Sequence, residues 1–211
     1  MSKDESKGTC LSCGQVYIHS EVHQHIMKCI SSNQKKWNAK TEPSMLLHIE
    51  SLENSLYWLD VLAKPELHLK QLDTWLRKVW LECCGHMSQF MVSPYRKISM
   101  AKSIKEVFAR KGSWVGYEYD FGTPTELVIR LVDKGNAFIR GPLLLAARNE
   151  APIWPCIECD KPASQICAEC ACKGSAFFCD NHSESHECGE EMLMPVINSP
   201  RMGVCGYTGE A

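Results

Sequence analysis

The stretch CIECDKPASQICAECACKGSAFFCDNHSESHEC, residues 156–188, decides how the C-terminal part of the chain folds. It contains four closely spaced ligand pairs: Cys156-x2-Cys159, Cys167-x2-Cys170, Cys179-x2-His182 and His186-x-Cys188. Two donors on one tight turn lower the entropy lost in assembling a tetrahedral site, and thiolate and imidazole are the donors that structural zinc takes. Four pairs therefore predict a module over residues 151–192 with two zinc sites.

A second set of ligands lies near the N-terminus, in the pairs Cys10-x2-Cys13 and His25-x3-Cys29. Ser20 is a suitable residue to begin a helix after the cysteine pair. On that helix His25 and Cys29 share a face because they are four residues apart, whereas His19 and His23 are not expected to be ligands. The sequence thus predicts a Cys-Cys-His-Cys zinc finger over residues 1–30, and three zinc ions in all.

The thirteen cysteines favour zinc over disulfides and iron–sulfur clusters. Histidines are interleaved with them in paired spacings, and no hydrophobic signal peptide precedes them. We therefore expect a reducing compartment, the cytoplasm. No apolar run approaches the ~20 residues that a membrane-spanning helix needs, so no membrane partner is expected.

The segment between the two ligand sets has the pattern of a globular domain. Residues 31–44 are predicted to be a linker, 45–150 the domain and 193–211 a tail. Apolar residues recur every three or four positions from Leu69 to Cys83, which predicts an amphipathic helix that Gly85 ends. Strands are predicted at 45–49, 57–62, 88–92, 114–120 and 126–132, and 138–146 is a further apolar stretch. The expected fold class is α+β, an antiparallel sheet with packed helices, flanked by small zinc-binding modules.

The charge distribution bears on the choice of partner. Residues 151–211 contain three basic and nine acidic side chains, a net charge of −6, which is a poor surface for a phosphate backbone. Basic residues are concentrated at 96–111, around a predicted short helix, and a solvated helix face explains them better than a nucleic-acid contact does. Nucleic acid could bind through residues 1–44 and 96–111.

Two motifs of the middle domain carry a family resemblance. They are GHMSQF, residues 85–90, and YEYDFG, residues 117–122, together with Trp58, Leu72, Trp75 and Leu76. Over residues 45–150 the chain resembles the Ri-plasmid open-reading-frame-three family, and PRMGVCGYTG, residues 200–209, looks like the tail of its zinc-bearing members. The resemblance implies a strand, a helix, a His-x3-Phe step and a Tyr-Asp-Phe-Gly strand end. The family occurs in bacteria, archaea and mobile elements, with no established biochemical role.

The C-terminal ligands are similar to the cross-braced fingers of the B-box, MYND and AN-one kinds. That resemblance implies one site made of the first and third pairs, Cys156, Cys159, Cys179 and His182, and a second made of Cys167, Cys170, His186 and Cys188. Spacing alone also permits sequential pairing, and Cys172 is an alternative to Cys170. The N-terminal finger is similar to ubiquitin-binding fingers, but Met27 stands where those fingers commonly have an acidic residue.

Three functions remain possible from the sequence. Filled four-ligand sites leave no open metal position, so the leading interpretation is a non-enzymatic, zinc-stabilised interaction protein whose partner is a protein. Zinc that only staples short segments explains the ligands equally well. The alternatives are a nucleic-acid-binding protein linked to mobile elements, and an enzyme with a site around His86, Tyr119 and Asp120, where a base and its orienting carboxylate could meet.

Overall fold

A computed structural model describes residues 6–37, 40–93, 96–171, 174 and 176–209. The chain forms two compact units. The sheet unit comprises Met1–Trp75 and Met87–Glu150, and the cysteine-rich unit comprises Leu76–His86 and Ala151–Ala211. Among the described residues, no helix combines the length and the apolar character needed to cross a membrane.

The sheet unit is built on one large antiparallel sheet. Where the structure describes it, the strands are β1 (Lys7–Cys10), β2 (Val16–Ile18), β3 (Glu42–Ser51), β4 (Trp58–Ala63), β5 (Ser88–Ser93), β6 (Arg96–Ile98), β7 (Trp114–Tyr119), β8 (Thr125–Ala137) and β9 (Leu143–Asn149). Their spatial order is β2-β1-β9-β4-β3-β8-β7-β5-β6. The helices are α1 (His19–Trp37), α2 (Leu69–Leu76) and α3 (Ile104–Val107).

The longest helix, α1, covers part of this sheet. Its residues Val22, Ile26 and Ile30 recur every four positions, so they form one apolar stripe, and they join the buried cluster that contains Leu46 and Trp58. Strands β3 and β4 are buried along most of their length, as expected for central strands. The helix continues through residues 31–37, the first part of the predicted linker.

The N-terminal cysteine pair begins at the end of β1, the strand next to the edge strand β2. Strand β1 pairs with β9, from Gly8 opposite Asn149 to Cys10 opposite Ala147. A side chain at Gly8 would collide with the indole ring of Trp58, so glycine permits the close approach of β1. The Trp58 Nε1 group also donates a hydrogen bond of 2.8 Å to the Ser6 hydroxyl.

The predicted α+β fold is wrong. The chain is mostly antiparallel sheet with few and mainly short helices, not a sheet covered by packed helices. The helix predicted from Leu69 to Cys83 is α-helical only to Leu76, turns into a π-helix at Arg77–Leu81 and ends at Glu82. Helix α3 has only four residues. Residues 7–18, predicted as part of a separate finger, add two strands to the sheet.

The cysteine-rich unit has a smaller sheet and short helices. In the described residues its elements are β10 (Gln165–Cys167), α4 (Ala168–Ala171), β11 (Phe177–Phe178), α5 (Asp180–Ser183), a 3-10 turn (Glu190–Met192) and β12 (Leu193–Pro195). The strand order is β11-β10-β12. Its apolar cluster has Ile166, Ala176 and Met194 as buried members.

The C-terminal segment is tied to the π-helix within the same unit. The indole of Trp80 donates a hydrogen bond of 3.0 Å to the Asn198 carbonyl, and the Ser199 hydroxyl donates one of 2.6 Å to the Trp80 carbonyl. Arg201 and Tyr207 are buried as well. These contacts place residues 198–207 beside residues 80–86.

Candidate metal centres

In the part of the chain that the structure describes, four groups of three cysteines and one histidine could each hold a metal ion. In each group the donor atoms lie within 4.8 Å of one another. The groups are the N-terminal set (Cys10, Cys13, His25, Cys29), the first crossed set (Cys156, Cys159, Cys179, His182), the second crossed set (Cys167, Cys170, His186, Cys188) and the tail set (Cys83, Cys84, His86, Cys205). The three predicted groups therefore form, together with a fourth.

The N-terminal set joins a tight turn to helix α1. Cys10 ends β1, and the chain reverses through Gly14, whose φ of +75° favours glycine. The backbone N–H of Gly14 donates to the Cys10 carbonyl at 2.7 Å. On the helix side, His25 Nε2 lies 3.3 Å from Cys13 Sγ, and its ring stacks on Tyr17. Burial raises the pKa of the Cys10 thiol to about 11.

The first crossed set combines a loop with the start of helix α5. Cys179 precedes the helix, and His182 lies in it. The distance from His182 Nδ1 is 3.3 Å to Cys156 Sγ and 3.5 Å to Cys179 Sγ. The sulfur atoms of Cys159 and Cys179 are 3.8 Å apart.

The second crossed set is built on β10 and α4. Cys167 ends the strand and Cys170 lies in the helix that follows it directly. Cys170 Sγ lies 3.5 Å from His186 Nε2 and 3.7 Å from Cys188 Sγ. The structure thus groups the ligand pairs in the crossed order, first with third and second with fourth. Cys172, the alternative ligand, lies outside the described residues.

Each crossed set contains a thiol that ionises easily even without a metal. Burial raises the pKa of Cys156, but hydrogen bonds from the backbone N–H groups of Cys179 and Glu158 outweigh it and bring the pKa down to about 6. Cys167 is buried too, yet the Cys170 N–H and the nearby donors lower its pKa to about 7. Backbone N–H groups that stabilise a thiolate favour metal binding, because the thiolate is the ligand.

The tail set was missed by the sequence analysis. Its histidine Nε2 lies 2.9 Å from Cys84 Sγ and 3.3 Å from Cys205 Sγ, and these two sulfur atoms are 3.4 Å apart. The Cys83 and Cys84 sulfur atoms are 3.8 Å apart. The contact with Cys205 and, to a smaller extent, burial raise the pKa of Cys84 to about 12. Two thiolates placed this close together repel one another, so the protonated form of Cys84 is favoured.

Local structure explains how residues 83–86 turn toward the tail. The π-helix ends at Glu82, whose carboxylate accepts a hydrogen bond of 2.6 Å from the Gly85 N–H. Gly85 has a φ of +81°, so the chain reverses there. Arg77 holds both sides of this turn, since it pairs with Glu82 at 2.5 Å and donates to the His86 carbonyl at 2.9 Å.

The predicted group of His86, Tyr119 and Asp120 is divided between the two units. His86 belongs to the cysteine-rich unit, where it lies in the tail set, whereas the other two residues belong to the sheet unit. Tyr119 is buried at the end of β7. Asp120 has a φ of +68°, and its carboxylate accepts a hydrogen bond from the Gly122 N–H, as in an Asx turn. An enzyme centre made of these three residues stays a prediction.

A fifth group in the sheet unit consists of His19, His23 and His48, which the sequence analysis did not connect. Asp60 is completely buried beneath it, and its Oδ1 lies 2.8 Å from His48 Nδ1. Burial lowers the pKa of His48, but the hydrogen bonds to Asp60 and Glu50 outweigh it and raise the pKa to about 9. Burial and the neighbouring imidazoles lower the pKa of His19 to about 4.

Comparison with known proteins gives little guidance. No family model matches the chain, and no curated protein matches it. A solved structure, the protein of unknown function MM3350 from Methanosarcina mazei Go1, is similar with a TM-score of 0.43 and 18% sequence identity, over 52% of this chain and 70% of that protein. The resemblance to the Ri-plasmid family stays a prediction.

Proposed function

We propose that the chain is a zinc-binding interaction protein with four structural zinc sites, one more than the sequence predicted. The observation that carries the proposal is that each of the four sets supplies four protein donors within 4.8 Å of one another. Structural zinc sites are closed in this way, whereas catalytic zinc keeps one position for water or substrate. These four centres are therefore proposed to hold the fold together rather than to perform chemistry.

The distances between donor atoms support zinc. Two sulfur atoms bound to zinc at ~2.3 Å in a tetrahedron are about 3.8 Å apart, and a sulfur and a nitrogen are about 3.5 Å apart. In the two crossed sets, the sulfur pairs are 3.8 and 3.7 Å apart, and the sulfur–nitrogen pairs 3.3 to 3.5 Å. A disulfide needs about 2.05 Å, and the twelve described cysteines are all free thiols. We expect such a chain in a reducing compartment, the cytoplasm.

The cysteine-rich unit also needs the metal for stability. The apolar cluster around β10, beside the crossed sets, has three buried members, so the free energy that this cluster gains from apolar burial is small. Structural zinc contributes on the order of 10 kcal/mol to a small module, far more than such a cluster can. Three of the four sets lie in this unit.

We propose a protein as the partner of the cysteine-rich unit. This unit contains five basic and ten acidic side chains, and each filled set with three thiolates adds about −1. Ile153 and Ile157 are exposed between the acidic residues, which suits a basic protein surface with apolar side chains better than a phosphate backbone. Nucleic-acid binding through residues 1–44 and 96–111 remains the alternative, and salt-sensitive binding of the full chain to DNA or RNA would favour it.

Thiol alkylation of the full chain tests the number of sites. The four sets contain twelve of the thirteen cysteines, all but Cys172. With zinc bound, we expect one rapidly modified thiol, and after removal of the metal with a chelator we expect thirteen. Four rapidly modified thiols in the zinc-loaded chain, with Cys83, Cys84 and Cys205 among them by peptide mapping, would show that the tail set holds no metal and that only three sites exist.

Local melting tests whether zinc stabilises the cysteine-rich unit. Cys159→Ser removes one ligand of the first crossed set, and we expect it to release one zinc ion and to unfold this unit while the sheet unit keeps its own cooperative transition. Hydrogen exchange followed by mass spectrometry separates the two units. Unchanged protection of residues 156–188 in the variant would contradict a stabilising role for zinc.

A further inference from the structure

The histidine group lies where three strands and a helix meet. His48 on β3 is directly opposite Asp60 on β4 and Arg130 on β8, so these three side chains emerge from the same face of the sheet in one row. Helix α1 begins above this row, and its residues His19 and His23 are four apart, so they point from the same helix face. The strand register places His48, and the four-residue helix spacing places His19 and His23, so that the three imidazoles lie close together.

The separations of the ring nitrogens suit a shared metal ion. Two nitrogen atoms bound to one tetrahedral metal at ~2.0–2.1 Å are about 3.3 Å apart. The Nε2 atoms of His19 and His48 are 3.1 Å apart, and the three histidines offer one ring nitrogen each within 4.8 Å of the other two.

The buried carboxylate has the position of an orienting group. The Asp60 side chain is fully buried, and the register of β3 and β4 holds it against His48 Nδ1 at 2.8 Å. A histidine that donates its Nδ1–H to a carboxylate presents Nε2 as a metal ligand, in a fixed orientation. The same Asp60 oxygen lies 3.0 Å from His23 Nε2, so Asp60 is a positioning residue that acts on the metal through both His48 and His23.

We propose that His19, His23 and His48 bind a fifth divalent metal ion of the zinc class, with one coordination position open to an oxyanion ligand, a phosphate or a carboxylate. Among the described residues three protein donors form this group, in contrast to the four-donor sets, and Glu50, whose carboxylate lies 3.3 Å from His48 Nε2, is not one of them, so water or a ligand must complete the tetrahedron. The proposal goes beyond the structural zinc sites, because an open position allows a ligand to bind to the metal.

A cavity beside the histidines gives this ligand room and charge. Its volume is about 520 Å³, and its lining includes the three histidines, Glu50, Lys111 and Arg130. Arg130 is exposed and directly opposite His48. The Lys111 side chain is also exposed, with Asp133 3.9 Å from its ammonium group, so both cations are accessible to a ligand from solvent. A metal ion flanked by a guanidinium and an ammonium group selects oxyanions, which accept hydrogen bonds from both.

Metal content and cobalt spectroscopy test the site in the full chain. We expect five zinc ions by native mass spectrometry in the parent and four in His23→Ala, with the same thiols protected in both. The matched control is His68→Ala, which changes an exposed histidine outside every group and should keep five. Co²⁺ added to chain whose thiolate sites hold zinc should give visible bands without a thiolate charge-transfer band, and Asp60→Asn should weaken cobalt binding by about 10–100-fold.

Each result has a defined meaning. Four zinc ions in the parent with twelve protected thiols would overturn the fifth site and leave the four structural sites standing. Loss of metal in His68→Ala equal to that in His23→Ala would also overturn it. Cobalt that binds with a thiolate charge-transfer band would place the open site among the cysteines, against both proposals.

The open position has its own test, with inorganic phosphate and acetate as probes. We expect either or both to shift the visible cobalt bands of the parent, and the stronger probe identifies the class of oxyanion. Arg130→Gln should weaken the effect of phosphate by at least about tenfold, since a hydrogen bond to a charged group is lost. No shift with either probe would show that the coordination is closed, which overturns the oxyanion ligand.

Discussion

Replacing Cys205 by serine isolates the energetic role of the tail set. Its donors come from residues 83–86 and from Cys205, and Cys84 and Cys205 are 121 residues apart in the chain. A cross-link that closes a loop of this length stabilises the folded state by about 5 kcal/mol at 25 °C in the chain-entropy model. Zinc retained in the crossed sets shortens the effective loop, but the logarithmic dependence lowers this value only slightly. We expect Cys205→Ser to lose about 4–5 kcal/mol of unfolding free energy.

The measurement is urea denaturation of zinc-loaded parent and variant at one fixed free zinc concentration, with metal content determined on the same samples. Thr208→Ser is the control, because it changes an exposed residue of the same segment without removing a ligand, and it should stay within about 0.5 kcal/mol of the parent. If Cys205→Ser were as stable as this control and kept its full zinc content, the tail set would not be a metal site.

Two further predictions concern the sheet unit. Gly8→Ala should destabilise the chain by about 1–3 kcal/mol, because the new methyl group would overlap the indole of Trp58. The control is Gly116→Ala, which has ordinary space for a methyl group in the same sheet and should be neutral or slightly stabilising. Equal stabilities of the two variants in urea would contradict the close approach of Gly8 to Trp58. Asp73 is fully buried and accepts hydrogen bonds from the Tyr117 hydroxyl at 2.9 Å and from the Ser88 hydroxyl at 2.5 Å. Asp73→Ala removes both bonds and should cost about 3 kcal/mol, whereas Tyr117→Phe removes one and should cost about half as much. Equal losses in urea would contradict a contribution from Ser88.

The sequence predicted the positions of strands better than their arrangement. Strands β3 and β4 fall where apolar runs predicted them, because alternation and apolar content are local properties. Which strands pair with one another depends on segments that are far apart in the sequence. The pairing of β1 with β9 joins Gly8 to Asn149, and no periodicity within either segment indicates it. The π-helix at Arg77–Leu81 also escaped the prediction, because its apolar spacing differs little from that of an α-helix.

The candidate sites show the same contrast between local features, which the sequence predicts, and non-local ones, which it does not. The N-terminal and crossed sets were predicted because each contributes short-range pairs, such as Cys10 with Cys13, that are visible as spacings. The tail set unites adjacent residues with Cys205, and Cys83 was assigned to the buried stripe of a helix that in fact ends before it. One signal was present, since the predicted ligands left four of the thirteen cysteines unassigned. The histidine group left no comparable signal in the sequence. His48 lies on a strand far along the chain from His19 and His23, and only the folding of the sheet places it beside them.

The distance in sequence between the donors of the tail set has a consequence during synthesis. A ribosome adds about 5–20 residues per second, so the 121 residues from Cys84 to Cys205 take roughly 6–24 s to make. During that time Cys83, Cys84 and His86 have left or are leaving the ribosome, while their fourth donor does not yet exist. The nascent chain thus carries two adjacent thiols with no complete set of donors, open to oxidation or to a wrong metal. The tail set can close only after translation has passed Cys205, although the sheet unit, complete at residue 150, and the crossed sets, complete at Cys188, can form earlier.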